Sequence, residues 1–497
     1  MKGPSAEEPV YTRDEQLGTH RKGWTPLLAL ICVATTFGTA IPVGYCLGVM
    51  NTPAEYIKVW CLDAFVIRYD VELSPSQLDL LWSAIVSIFL IGGIFGSFFA
   101  GACCNRFGRK GSLLVSAFLL TVSGILLHFC RMTDSVEMLL IGRFIIGIAA
   151  AITYTVHPIY LLEISPTHLR GSAAVFTSIG VTGGICVGQI FSLQQVFGTE
   201  DLWQFALSFY TVFVVVSFLP VFWFPESPRW LYLMRQNEQA ARKELQRLRG
   251  KNSDACVNAE IADMKELAAL ASSEKMSFLA VVKNPEYLLP LVICCSFPLC
   301  QQLSGINAIF FYSVRIFMKG GFSLEIATWM NFGAGILNLL FAAVSPVMVQ
   351  KFGRRPLMMF SSGGCGLSLL GMAFALNYID RVSWLPIICI VFIASFIFFF
   401  NVGLAPVPYF VGAELFEVES RSVAMSMGNC FSWSGNFMIG MFFPMLEAVW
   451  GSYAFLPCAV MCLYCFLLTW RYLPETRGKD VADVKPLMSK GFRSKVH

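Results

Sequence analysis

The chain has 497 residues, of which 56% are hydrophobic and only 14% charged, with a formal net charge of +4 at pH 7. A soluble protein of this length needs a charged surface, and a mean hydropathy of +0.64 excludes one. The composition predicts an all-α membrane protein, because lipid leaves open backbone groups no partner and the apolar runs do not alternate as barrel strands would.

Residues 1–23 are polar and lack a signal-like apolar core, so they are expected to form a cytoplasmic tail. A crossing takes about 20 mostly apolar residues. Six such segments follow, near 24–50, 78–104, 112–129, 138–162, 172–196 and 203–224. The stretch 225–286 then turns rich in Lys, Arg, Glu and Asp. Within it, "EQAARKELQRLRG" (238–250) and "AEIADMKELAALA" (259–271) carry the spacing of short amphipathic helices. Six more apolar segments lie near 287–317, 326–349, 357–376, 384–412, 423–449 and 453–472. The expected organisation is an N-terminal six-helix bundle at 24–224, a cytoplasmic linker at 225–286, a C-terminal six-helix bundle at 287–472 and a cytoplasmic tail at 473–497.

The loops after spans 2, 4, 6, 8 and 10, with both tails, hold nearly all the Lys and Arg; the opposite loops hold Lys58, Arg68, Arg131, Arg315, Lys319 and Arg381. By the positive-inside rule both termini are cytoplasmic. The 17 Cys match neither a metal site nor a disulfide framework and read as small buried hydrophobes. There is no phosphate-binding glycine loop and no catalytic constellation, so no enzyme, cofactor, metal or nucleic-acid partner is expected. The expected partners are a small-molecule sugar and the lipid bilayer.

Three phrases recur in order, offset by about half the chain. "NRFGRK" from 105 returns as "KFGRRP" from 351, and "PESPRW" from 225 as "PETRGK" from 474. Glu163 and Arg170 return as Glu414 and Arg421, seven residues apart each time. The pattern is a duplicated six-helix unit. Gly108 and Gly353 permit tight turns, and Arg109, Arg354 and Arg355 follow them. These Arg residues, with Arg170, Arg421, Glu163 and Glu414, are expected to tie the two halves together on the cytoplasmic face and to gate it.

These phrases, together with "GRFIIG", "QQLSGINAIFFYS" and "PVPYFVGAELF", resemble the sugar-porter branch of the major facilitator superfamily, in particular the animal facilitative hexose transporters. The resemblance covers about residues 24–480. It implies the twelve-helix major facilitator fold, a sugar site between two bundles at mid-membrane, and alternating access.

A hexose needs amides and hydroxyls for its hydroxyl groups and aromatics for its ring faces. Gln301, Gln302 and Asn307 share one apolar helix, and Asn338, Asn401 and Asn436 on spans 8, 10 and 11 complete a polar ring. The resemblance places sugar-binding amides at Gln301, Gln302, Asn307 and Asn338, and an aromatic wall at Trp433. The chain departs from glucose-type members: Pro298-Leu299-Cys300 precede the Gln pair, Ser178 stands where many have Gln, Asn401 where many have Glu, and Tyr409 where many have Trp. These differences look more like the fructose-handling class. Pro406 and Pro408 deny backbone donors in span 10 and give it a hinge, read as an extracellular gate.

Proton coupling needs an ionisable group inside the membrane. Proton-coupled relatives resemble "GYD" in span 1; here the phrase is "GYC", with Cys46 at the third place, and no Asp or Glu is expected deep in a span. The reading is a facilitative uniporter of hexose, glucose and/or fructose, in the plasma membrane. The alternatives are a proton-coupled sugar symporter and a non-transporting sugar sensor.

Overall fold

The computed structural model describes residues 24–166, 169–250, 254–270, 278–319, 321–381, 384–416, 418–477, 481–488 and 491–493. Its regular elements are all helical among the described residues. Among the described residues, eight helices are long and apolar enough to cross a bilayer, and Phe176–Phe191 and Trp203–Phe218 are shorter apolar ones. Two of the eight, Pro75–Phe129 with 55 residues and Val423–Tyr472 with 50, are each long enough to cross twice. The result is the twelve-crossing, all-α architecture that the sequence predicts, and the chain is a multi-pass membrane protein.

The first six crossings use α1 (Pro26–Gly48), α3 (Pro75–Phe129), α4 (Val136–Ile164), α5 (Arg170–Phe191) and α6 (Trp203–Phe218), with α2 (Ala54–Tyr69) after the first. The short helices α7 (Pro228–Leu233), α8 (Glu238–Arg249), α9 (Asp254–Leu270) and α10 (Phe278–Lys283) follow. The last six use α11 (Pro285–Leu303), α12 (Ile306–Lys319), α13 (Leu324–Phe352), α14 (Arg354–Asn377), α15 (Leu385–Phe399), α16 (Val407–Leu415), α17 (Val418–Trp450) and α18 (Leu456–Tyr472), and α19 (Val481–Met488) comes last.

Helix α2 is an addition to the sequence expectation, which placed a loop there. Its buried residues are Ile57, Trp60, Cys61 and Ala64, spaced as one helical stripe, and Trp60 packs on Trp203 with ring centroids 5.1 Å apart. Helix α3 starts with a capping box, Ser74 with Gln77, and Pro75 at its first position. It turns sharply at Gly108 (φ 80°), as the second half turns at Gly353 (φ 87°) between α13 and α14. A Cβ at Gly108 would lie 2.4 Å from Glu226 Oε2, and one at Gly353 would lie 2.7 Å from Glu475 Oε2. Each carboxylate caps the helix after its glycine. Glu226 Oε1 accepts from the N–H groups of Arg109 (2.9 Å) and Lys110 (3.0 Å), and Glu475 accepts from those of Arg354 (3.0 Å) and Arg355 (3.1 Å). The twice-repeated glycine among basic residues is therefore half of a turn whose other half is the repeated "PE".

Three long crossings are broken in mid-course. Helix α1 contains a π-turn at Thr36–Ala40; α11 and α12 part at Ser304 and Gly305, the latter at φ 92°; α15 and α16 part at a π-turn, Phe400–Leu404, followed by Pro406 and Pro408. Each break frees backbone groups from the helix ladder.

Candidate functional site

The amides of the sequence pattern form two hydrogen-bonded groups, one joining α11, α12 and α17 and one joining α13 to the π-turn. Gln302 donates through Nε2 to Ser432 Oγ (3.0 Å) and to Gln301 Oε1 (3.3 Å), and accepts from Asn307 Nδ2. Asn401 donates to Asn338 Oδ1 (2.8 Å) and to the Ile397 carbonyl (2.9 Å), and both Asn residues are buried. Asn436 lies one turn beyond Ser432 on α17, buried, with its Oδ1 free of any protein donor among the described residues. Ser432 was not singled out from the sequence; its spacing of four from Asn436 on a helix beside Gln302 is the signal that would have found it.

Gln301 is placed differently from its neighbour. It is 3% exposed, and its Nε2 donates to the carbonyls of Leu404 (3.0 Å) and Ala405 (2.8 Å). Its two donors are thus spent on the span 10 break. Ser178 and Tyr409 are exposed. Pro406 precedes α16 and Pro408 lies in its first turn, just after the π-turn.

Trp433 stands edge-on to Phe89 and to Tyr154, each with ring centroids 6.0 Å away, and a Cβ on Gly93 would strike its ring at 2.4 Å. It is therefore a contact between the last six crossings and the first six. Tyr154, an aromatic partner missed in the sequence, faces it from α4. Further toward the ends of α1, α5, α12 and α13, Gln189 Nε2 donates to Asn331 Oδ1 (3.0 Å) and to its carbonyl (3.2 Å), and Asn51 Nδ2 donates to the Phe310 carbonyl (2.6 Å). These ties lie on the side opposite the basic loops.

On the basic side the ion pairs differ from the sequence expectation. Arg109 pairs with Glu163 (2.8 Å) and Arg354 with Glu414 (2.6 Å), each within its own set of six crossings. Ser227 and Thr476 donate to the same two carboxylates. Arg355 donates to the Trp470 carbonyl (2.8 Å). The side chains of Arg170 and Arg421 lie outside the described residues. The reason is geometric: each turn arginine emerges against the end of another helix of its own set, while the Gln189–Asn331 and Asn51–Phe310 bonds between the sets lie on the opposite side.

Arg143 is fully buried and faces carbonyls: its guanidinium donates to Cys46 (3.0 Å), Ile85 (3.4 Å) and Val86 (3.4 Å) and lies 5.1 Å from the Phe89 ring. Among the described residues, one carboxylate is buried at the end of a crossing: Glu447, in the last turn of α17. Outside the crossings, burial pushes the Glu226 carboxyl above the usual carboxylate range, against the pull of the N–H groups it accepts from.

A family model described as "Sugar (and other) transporter" matches residues 31–487. The chain belongs to that sugar transporter family. Facilitated glucose transporter member 3 of solute carrier family 2 from Ovis aries is 37% identical over 461 residues, covering 93% of this chain and 92% of that one. Member 1 from Gallus gallus is 35% identical over 446 residues, covering 90% of each. Among solved structures, the proton:xylose symporter XylE bound to 6-bromo-6-deoxy-D-glucose superposes with a TM-score of 0.75 at 22% identity, covering 93% of this chain and 98% of that one. The inward open conformation of XylE from E. coli gives 0.76 at 22%, covering 93% and 99%. The fold is that of a major facilitator, and the family is one of transporters, not enzymes.

Proposed function

We propose that this sugar transporter is a facilitative hexose uniporter, taking glucose and/or fructose by alternating access. The observation that carries the substrate class is the linked amide set, Gln302 with Asn307 and Ser432, beside the free acceptor of Asn436 and the aromatic Trp433. Neutral donors and acceptors with an aromatic edge suit a polyhydroxy ring and offer no counter-charge to an ion. The relatives named as facilitated glucose transporters support the same class. Asn338, Asn401, Ser178 and Tyr409 belong to the proposed surroundings of the sugar.

The uniport reading rests on Arg143. Its partners among the described residues are carbonyls, including that of Cys46, so its hydrogen bonds include no carboxylate to take up and release a proton. We further propose two six-span units, 24–224 and 287–472, joined by the linker 225–286, in the plasma membrane with the tails 1–23 and 473–497 cytoplasmic; the basic loops support that orientation. Arg109, Glu163, Arg354, Arg355 and Glu414, with Arg170 and Arg421, gate that face in this reading, each set clamped within its own unit.

The test is uptake of labelled glucose, fructose and galactose into proteoliposomes holding the purified protein. Saturable uptake of at least one hexose that stops at equal concentrations is the expected result. Absence of uptake for all three would remove the reading.

A further inference from the structure

Spans 1 and 5 cross in direct backbone contact. A Cβ on Gly44 of α1 would lie 1.9 Å from the Val181 carbonyl oxygen, and one on Gly184 of α5 would lie 2.2 Å from that of Ile41. A Cβ on Gly180 would meet the Thr36 methyl at 2.6 Å. The two helices share one seam that leaves no room for a side chain at these glycines. One turn before Gly180, at Thr177, the contact passes to His157 of α4. His157 is fully buried, with Thr36 Oγ1 at its Nε2 (3.5 Å) and Thr177 Oγ1 at its Nδ1 (2.9 Å). Thr36 opens the π-turn of span 1, and its carbonyl accepts the Ile41 N–H that closes that turn.

The neighbours decide where the ring carries its proton. The Thr36 hydroxyl donates to the Cys32 carbonyl (2.6 Å), so it offers His157 lone pairs only. Nε2 therefore holds the hydrogen, and Nδ1 accepts from the Thr177 hydroxyl. Thr177 is half-buried and Ser178 beside it is exposed, so this bond is made where α5 leaves its packing. His157 also lies about one turn along α4 from Tyr154, which faces Trp433. We propose that His157 is a positioning residue for the sugar site: as a neutral imidazole it ties Thr177, and with it Ser178, to the π-turn of span 1, and so sets how the span 5 wall meets a hexose. This rests on the proposed sugar site, and it adds the device that holds one wall of that site in register.

The test is a cycle of His157→Leu, which removes both ring bonds, Thr177→Val, which removes one hydroxyl, and the double variant, with His157→Gln as the conservative replacement that keeps a donor and an acceptor. Glucose and fructose binding to purified protein gives affinity and preference, uptake in proteoliposomes gives KM and kcat, and melting in detergent reports folding. His157→Leu and Thr177→Val should each weaken hexose affinity about two- to tenfold and shift the glucose-to-fructose preference by at least about threefold, with kcat within about threefold of the parent. The double variant should match the weaker single variant within about twofold, because both remove the same bond, and His157→Gln should stay within about twofold of the parent. A lower melting temperature with unchanged affinity and preference would make His157 a packing residue only and overturns the proposal. Losses that multiply in the double variant, or a Gln variant as impaired as the Leu one, overturn it too. If His157→Leu fails to fold, Thr177→Val and His157→Gln decide: unchanged affinity and preference in the first, or impaired binding in the second, defeats the idea. A parent protein that binds no hexose would instead defeat the proposed function, so the two failures are distinct.

Discussion

Gln302 shows how much one side chain can carry. It joins α11 to α17 through Ser432 and to α12 through Asn307, so its truncation removes hydrogen bonds without emptying a core. Gln302→Ala or Asn307→Ala should weaken hexose binding about two- to tenfold, the worth of a neutral hydrogen bond of about 0.5–1.5 kcal/mol, with insertion unaffected. Titration of each purified variant checks this, and unchanged affinity in both would remove them from the site. Gly108→Ala should cost about 1–3 kcal/mol, because only glycine holds φ 80° with ψ −175° and Glu226 fills the space of a Cβ. A thermal melt in detergent reads that loss, and no shift would refute the account of the turn. Glu226 also gives a pH dependence. Its raised pKa means the folded state holds the proton to a higher pH than the unfolded chain does, so this contribution is fully present below the ordinary value near 4.5 and is lost as pH rises through the folded one. Glu226→Gln should therefore flatten the fall in melting temperature above that pH; an identical slope in the variant would count against it. The glycines and the "PE" phrases were legible because the repeat printed each of them twice. The bonds from Gln301 to the Leu404 and Ala405 carbonyls were not, since they answer to Pro408, on another helix, which has no N–H.

Among whole elements, the apolar spans were legible because lipid imposes length and hydropathy on each of them. Their interruptions were not. The π-turns at Thr36–Ala40 and Phe400–Leu404 carry no composition that separates them from the helix around them, and only the prolines marked one of the two. Helix α2 was hidden for a different reason. Lys58, Asp63 and Arg68 break its hydropathy, so it reads as a charged loop, yet a stripe of four buried residues holds it. Lys58 bonds Asp79 (3.2 Å) and Arg68 bonds Glu137 (3.2 Å), both exposed and individually worth little. Its attachment should therefore come from packing. Trp60→Ala should cost about 3–5 kcal/mol, while Lys58→Ala with Arg68→Ala should cost under about 1 kcal/mol. Melting of both variants tests the ranking, and a larger loss in the charge variant would reverse it.

Taken as one machine, the molecule has ties of two kinds. The ion clusters around Glu163 and Glu414 hold each set of crossings together internally, whereas Trp433, Gln189 and Asn51 join the two sets. In the proposed alternating-access reading, the carrier rocks between states by exchanging the second kind while keeping the first. Whether a proton travels with the sugar then depends on buried groups that change charge. Arg143 is buried, but a guanidinium stays protonated and its bonds go to carbonyls. Among the described residues, Glu447 is the buried carboxylate of a crossing, and it lies in the last turn of α17, about three helical turns from Asn436. That distance separates it from the polar line that links Gln301, Gln302 and Asn307, so a proton taken up there is remote from the sugar. Proteoliposomes under an imposed inward proton gradient should therefore equilibrate hexose and not concentrate it, and a protonophore should leave the initial rate unchanged. Accumulation above the outside concentration that a protonophore collapses would establish coupling instead. In that case Glu447→Gln would identify the coupling group by abolishing accumulation while leaving equilibrative uptake intact.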